Sequence, residues 1–364
     1  MNLSFSKLFY SLASMALLIA LLYLGKSLFI PMAFAMIFAF ILYPIVKWLQ
    51  KKGFNQVLAI ASPMVSEVVL ILGVIVLFSS QIVKIASEYD NFLSKLRTTW
   101  ESSLSYINNK IGIIPDLESK NLLDQVSNYF ADSGFVIISD TIAFTSSFFS
   151  YLLLSLILTF LFLFYHAHLT RSLALVATEE KRKGFIQMLK NVQQVGQKYF
   201  TGMGLLILVL SLLNSIGLLV VGIDYPFFFG FLAGILAFIP YVGTIVGGLL
   251  PTLYAFVTYD SYWYPLGVIF VFWVVQFLEG NFLSPKIVGG HMHINALVSI
   301  LSLIAGGMIW GLPGMILFLP MTAMLKVVFD YYENLKPVAA LMGERPETSK
   351  ENKLIAKLNK LFQK

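Results

Sequence analysis

The sequence predicts an all-α, polytopic helical membrane protein with two broken or re-entrant helical hairpins. Three observations lead there. The 364 residues are 58% hydrophobic and 12% charged, with a mean hydropathy of +0.81, whereas soluble chains carry about 25% charged residues. Uncharged windows of 18 or more residues occur at 8–25, 27–46, 141–165, 199–223 and 261–278. Two longer uncharged stretches, 225–259 and 294–325, are interrupted by Gly and Pro. Each exceeds the ~20 residues of a single crossing and holds too many helix breakers for one straight helix. The apolar–polar alternation of a β-barrel is absent, so the crossings are helices.

In chain order, Lys7 and the apolar run to Leu24 have the outline of a signal peptide. No small-x-small cleavage site precedes Lys26, and a second apolar run follows at once, so this reads as an uncleaved first helix. Pro31 suits the first turn of the second helix, and Pro44 is expected to kink or end it. The loop 47–53 carries Lys47, Lys51 and Lys52 and no acid, which assigns it, and the N-terminus, to the cytoplasm. The third span, about 57–83, contains Glu67 near its middle, where a charge must be paired, protonated or face water.

Residues 84–134 mix five Lys/Arg and seven Asp/Glu with spaced apolar residues, as amphipathic surface helices do, and form the expected external region. A fourth span, 135–165, leads to a linker, 166–200, whose six Lys/Arg against two acids again mark the cytoplasmic side. A span from Thr201 returns outward to Asp224. A further span from about Trp263 to Leu278 starts at an aromatic anchor of Tyr262, Trp263 and Tyr264. The tail, 330–364, is basic and expected inside.

Topology decides how the two long stretches run. If each crosses once, the basic tail falls outside. If each is a hairpin, the tail returns to the cytoplasm with the N-terminus. Residues 201–259 and 263–329 then become two similar halves of opposite sense, an inverted-repeat transport core over 201–329. Paired, interrupted hydrophobic segments of this kind point to a secondary transporter.

Other chemistry finds no support. The chain has no Cys, so thiolate catalysis and Cys-ligated metal are excluded. His166 and His168 do not share a helical face, and no metal site, cofactor site, P-loop or hydrolase motif is found, so no enzyme is expected. The net charge of +6 resides in short loops and the tail, as topology signals do, so no nucleic-acid partner is expected. The solute path has candidates of two kinds. Pro240, Gly243, Gly247, Gly311, Pro313 and Gly314 free backbone polar groups at membrane depth. Asn214, Tyr241, Thr244, Glu279, Asn281 and Asn295 supply side chains, with Glu67 a secondary charged candidate.

The motifs carrying these candidates are Phe238-Ile239-Pro240-Tyr241-Val242-Gly243 with Gly247 and Pro251, Glu279-Gly280-Asn281-Phe282-Leu283-Ser284-Pro285-Lys286-Ile287-Val288-Gly289, and Gly306-Gly307 with Trp310-Gly311-Leu312-Pro313-Gly314-Met315 to Pro320. Together they make the chain resemble the AI-2E family of transporters, permease-like proteins of the bacterial inner membrane. Asn295 departs from the Pro common in that family, and Phe200-Thr201 stand where an Arg is common. The resemblance implies export of a small solute such as an autoinducer-2-like signal. The alternative it implies is antiport of sodium, or another monovalent cation, against protons. It also implies a homo-oligomer, a pentamer, embedded in membrane lipid. A non-enzymatic membrane scaffold is the further alternative.

Overall fold

The computed structural model describes residues 5–87, 95, 98, 150–239, 242–288 and 294–344, and every regular element among them is helical. Pro240, Tyr241, nearly all of the segment 84–134 expected outside and the tail beyond Glu344 lie outside the described residues. In order the helices are α1 (Phe5–Leu24), α2 (Lys26–Lys51), α3 (Gln56–Ser87), α4 (Ser150–Phe164), α5 (His166–Ala174), α6 (Arg182–Val221), α7 (Pro226–Leu236), α8 (Val242–Thr258), α9 (Trp263–Ile287), α10 (Ala296–Trp310), α11 (Leu312–Tyr331) and α12 (Lys336–Met342). Among the described residues five helices are long and apolar enough to cross a membrane, and α4 with α5 forms a bent pair that makes up to six. The fold is an all-α, multi-pass membrane fold.

Two helices run further than their sequence suggests. α2 passes through Pro44 without ending and stops at Lys51. α6 is one helix of 40 residues, where the sequence suggests a polar linker helix and then a separate span from Thr201. At 1.5 Å per residue it is about 60 Å long, twice the hydrocarbon thickness, so its polar N-terminal half extends beyond the apolar layer.

The chain divides into two compact units. One comprises residues 34–164 and 201–287. Its α2–α3–α4 part buries Ala39, Leu42, Val46, Ala59, Ile60 and Leu163 together. The buried Thr159 hydroxyl lies 2.7 Å from the Ser155 carbonyl and 3.3 Å from that of Ala35. Such a hydroxyl is tolerated in an apolar interior because the backbone accepts its proton. The rest is a bundle of α6, α7, α8 and α9 around Leu218, Phe229, Tyr254, Ala255 and Val268. Small residues set its spacing: Gly230 and Gly234 of α7 lie on Ser215 and Ser211 of α6, and Gly247 of α8 lies on Ala233 of α7. Gly217 of α6 meets Val271, and Gly267 of α9 meets Val221, so α6 and α9 are antiparallel.

α7 and α8 form the first hairpin. Gly243 abuts Leu236 at the tip, Gly247 abuts Ala233 lower down, and the Phe229 and Tyr254 rings meet at 5.2 Å near the base. The 11 residues of α7 rise only about 16 Å, half of a bilayer core. A Cβ on Gly243 would overlap the Leu236 backbone, so this close turn requires glycine.

The other unit comprises residues 1–33, 165–200 and 288–364. α10 and α11 make the second hairpin, joined by Gly311 at φ 66°, ψ −140°, a conformation reserved for glycine. Pro313 occupies the first turn of α11, where no N–H is needed. Gly306 and Gly314 bring the legs together, the Ser302 hydroxyl bonds that of Thr322 at 2.9 Å, and Trp310 packs edge-on against Phe318. The Trp310 indole N–H donates to the Leu22 carbonyl of α1 at 2.9 Å, tying the tip to the first helix.

Candidate functional site

Polar side chains converge at one place in the first unit, where α6, α7, α8 and α9 enclose a small cavity. Leu210 and Asn214 line it from α6, Ala233 from α7, Ala237 from the turn beyond it, and Gly243 and Thr244 from the start of α8. Phe272, Val275, Gln276 and Glu279 line it from α9. The α9 positions follow the three- and four-residue spacing of one helical face and end on the carboxylate. The cavity holds about 20 Å³, room for about one water-sized guest.

Asn214 is buried to 5% exposure, and its side-chain oxygen has no hydrogen-bond partner among the described residues. A buried acceptor left unpaired costs about 1–3 kcal/mol, so this atom calls for a donor or a cation. Gln276 stands beside the Glu279 carboxylate on the cavity wall. None of the lining residues is basic. A half-buried carboxylate in a lining that holds no Lys or Arg is a natural place for a proton or a bound cation.

The other sequence candidates fall elsewhere. Gly247 serves the α7–α8 contact. Asn281 is exposed, and its amide donates to the Phe277 carbonyl at 2.9 Å. The Asn295 side chain caps α10 by accepting from Val298 N–H, and donates to the Leu341 and Gly343 carbonyls. Gly311, Pro313 and Gly314 build the tip of the second hairpin in the other unit. Glu67 sits on α3 with one carboxylate oxygen buried and without a partner among the described residues, and does not line the cavity. Pro240 and Tyr241 lie outside the described residues. Gln276 was not singled out from the sequence. Its signal was the spacing Phe272, Val275, Gln276, Glu279, legible only once Glu279 is taken as the anchor of a face.

Residues 12–334 match a family model described as AI-2E family transporter. The chain belongs to that family. An AI-2E protein is a multi-pass protein of the bacterial inner membrane, a non-enzymatic permease that moves small solutes. Among curated relatives, YrrI of Bacillus subtilis (strain 168) is 29% identical over 323 residues, covering 85% of this chain and 88% of that protein. YhhT of Escherichia coli (strain K12) is 23% identical over 342 residues, covering 93% of this chain and 94% of its own. The AI-2 transport protein TqsA of Escherichia coli (strain K12) is 28% identical over 122 residues, 34% of this chain and 35% of that one.

Proposed function

We propose that this AI-2E protein is a secondary transporter whose path runs through the α6–α9 cavity, with Glu279 as the group that binds the coupling proton or cation. The observation carrying this reading is the pairing of an unpartnered Asn214 oxygen with an acidic side chain in one apolar-walled cavity. Thr244 and Gln276 add two further oxygen-bearing side chains to the lining. The transported solute is a small organic signal of the autoinducer-2 kind, in keeping with the name of TqsA.

Sodium/proton antiport is the second reading, and the volume favours it. A cavity of about 20 Å³ takes a water or an unhydrated monovalent cation, and an organic solute requires the helices to part. In both readings residues 201–329 are the transport core, the N- and C-termini face the cytoplasm, and the working form is a homo-oligomer of five copies. Glu67 is a secondary carboxylate on the same reading.

The test is the purified protein in liposomes, assayed separately for sodium- or potassium-driven proton movement and for organic-solute flux. Glu279→Gln keeps the shape and removes the charge. Loss of ion-coupled flux with normal assembly is the expected result, and parental flux in this variant removes Glu279 from the path. Cation flux with no organic-solute flux decides for the antiporter.

A further inference from the structure

Glu279 is the first residue of a π turn, Glu279–Leu283, inside α9. Its carbonyl accepts from the Ser284 N–H, five residues on rather than four. A π turn is in effect one extra residue inserted in an α-helix, and such turns cluster at functional sites. The packing of α9 on α6 carries the same signature. Val271 faces Gly217 and Ile287 faces Gly202, so 15 residues of α6 run beside 16 of α9. Between Val271–Gly217 and Gly267–Val221, above the turn, both helices advance by four.

Pro285 accounts for the insertion. It lacks an N–H, and its ring opposes the carbonyl four residues back, so a regular α-helix is disfavoured just before it. That does not fix which turn takes the extra residue. If it moved toward the N-terminus, past Glu279, the carboxylate would rotate by about 100° relative to Phe272, Val275 and Gln276 and leave the cavity face. Asn281 bears on this choice. Its side-chain amide donates to the Phe277 carbonyl at 2.9 Å, a link that brackets Glu279. It supplies a donor where the backbone ladder changes register and where lipid offers none.

We infer that Asn281 is a positioning residue: by bonding the Phe277 carbonyl it holds the π turn in place and keeps Glu279 on the cavity face. This rests on Glu279 being the coupling group of the proposed function, but its geometry can be tested separately. The full-length protein in liposomes is treated with dicyclohexylcarbodiimide, and modification of Glu279 and of Glu67 is followed by peptide mass. Asn281→Leu and Asn281→Ala remove the donor. Asn281→Ser retains one, since a helical Ser hydroxyl bonds the carbonyl four residues back.

The expected result is that modification of Glu279 speeds up roughly five-fold in the Leu and Ala variants, while Glu67 is unchanged and the Ser variant behaves as the parent. An unchanged Glu279 rate overturns the inference. So does a parallel rise at Glu67, which reports general loosening, or failure of both the Leu and Ala variants to assemble, which makes Asn281 a folding residue. If the labelling follows expectation while Glu279→Gln leaves flux intact, the coupling role fails and the positioning role stands. If Glu279→Gln abolishes coupling and the labelling does not move, only the positioning role fails.

Discussion

Tyr259 donates its phenolic hydrogen to the Asp224 carboxylate at 2.9 Å and accepts one from the Asp224 main-chain N–H at 2.8 Å. The pair closes the base of the first hairpin, where Gly222 and Tyr225 both have positive φ. Tyr225 is held in the left-handed region at φ 56°, ψ 41°, directly before Pro226, which costs a non-glycine residue about 1–2 kcal/mol. Tyr259→Phe removes the clasp and should lower stability by about 2 kcal/mol, read as a lower unfolding midpoint in detergent. Burial pushes the Tyr259 phenol up from 10.0 to about 12, opposed by the Asp224 main-chain N–H and reinforced by the Asp224 carboxylate. The folded state therefore holds this proton more tightly than the unfolded chain. The added stability is fully present below pH 10 and is lost as pH rises through about 12. The Phe variant should lack this component of alkaline destabilisation, and an alkaline profile identical to the parent's would remove Tyr259 as its source.

Glycines in this chain are not equivalent, and the packing says which can be changed. A Cβ on Gly230 would fall 2.5 Å from the Ser215 nitrogen and 2.7 Å from its Cα. Backbone must then move, and Gly230→Ala should cost about 1–3 kcal/mol. Gly204, on the same helix as Ser215, has no atom within 4 Å of the added carbon. Gly204→Ala should be neutral or stabilise by up to about 1 kcal/mol through helix propensity. Denaturant unfolding of the two variants side by side checks the order, and the reverse order would contradict the α6–α7 packing.

Asn295 joins two helix ends at once. Its oxygen caps α10, its amide reaches the Leu341 carbonyl at 2.7 Å and that of Gly343 at 3.1 Å, and its main-chain N–H bonds the Met342 carbonyl at 2.9 Å. Asn295→Ala should lose about 1–2 kcal/mol. Asn295→Asp keeps the cap acceptor but replaces the donor with a charge beside carbonyl oxygens. Its α10–α11 hairpin should stay folded while chymotrypsin cuts faster after the exposed Leu341 of α12. Equal cutting in the parent and the Asp variant would show that α12 is held by its apolar contacts alone.

The proposed orientation can be checked by labelling, because the native chain contains no Cys. A membrane-impermeant maleimide applied to intact cells should modify Asn109→Cys and spare Lys183→Cys and Lys353→Cys. External modification of Lys353→Cys would place the tail outside and end the double-hairpin topology.

Most of the fold could be read locally. Charge-free length fixes that a segment enters the membrane, and Gly and Pro at 225–259 and 294–325 fix that it turns back, because both signals act within a few residues of chain. The site was legible only in part. Asn214, Gly243 and Thr244 could be named as polar or permissive groups of the core, and Glu279 as a group near its inner mouth. Their sharing of one cavity follows from how α6 is rotated against α7, which the contacts of Ser211 and Ser215 with Gly234 and Gly230 determine. Asn281 and Asn295 carry the same chemistry in sequence, yet their amides are taken up by the Phe277, Leu341 and Gly343 carbonyls. Gln276 had no signal of its own until the α9 face was oriented. Periodicity and breakers belong to the chain and survive without tertiary structure. Which polar group meets which depends on helix rotation and on one extra residue in a π turn, and only packing across helices settles those.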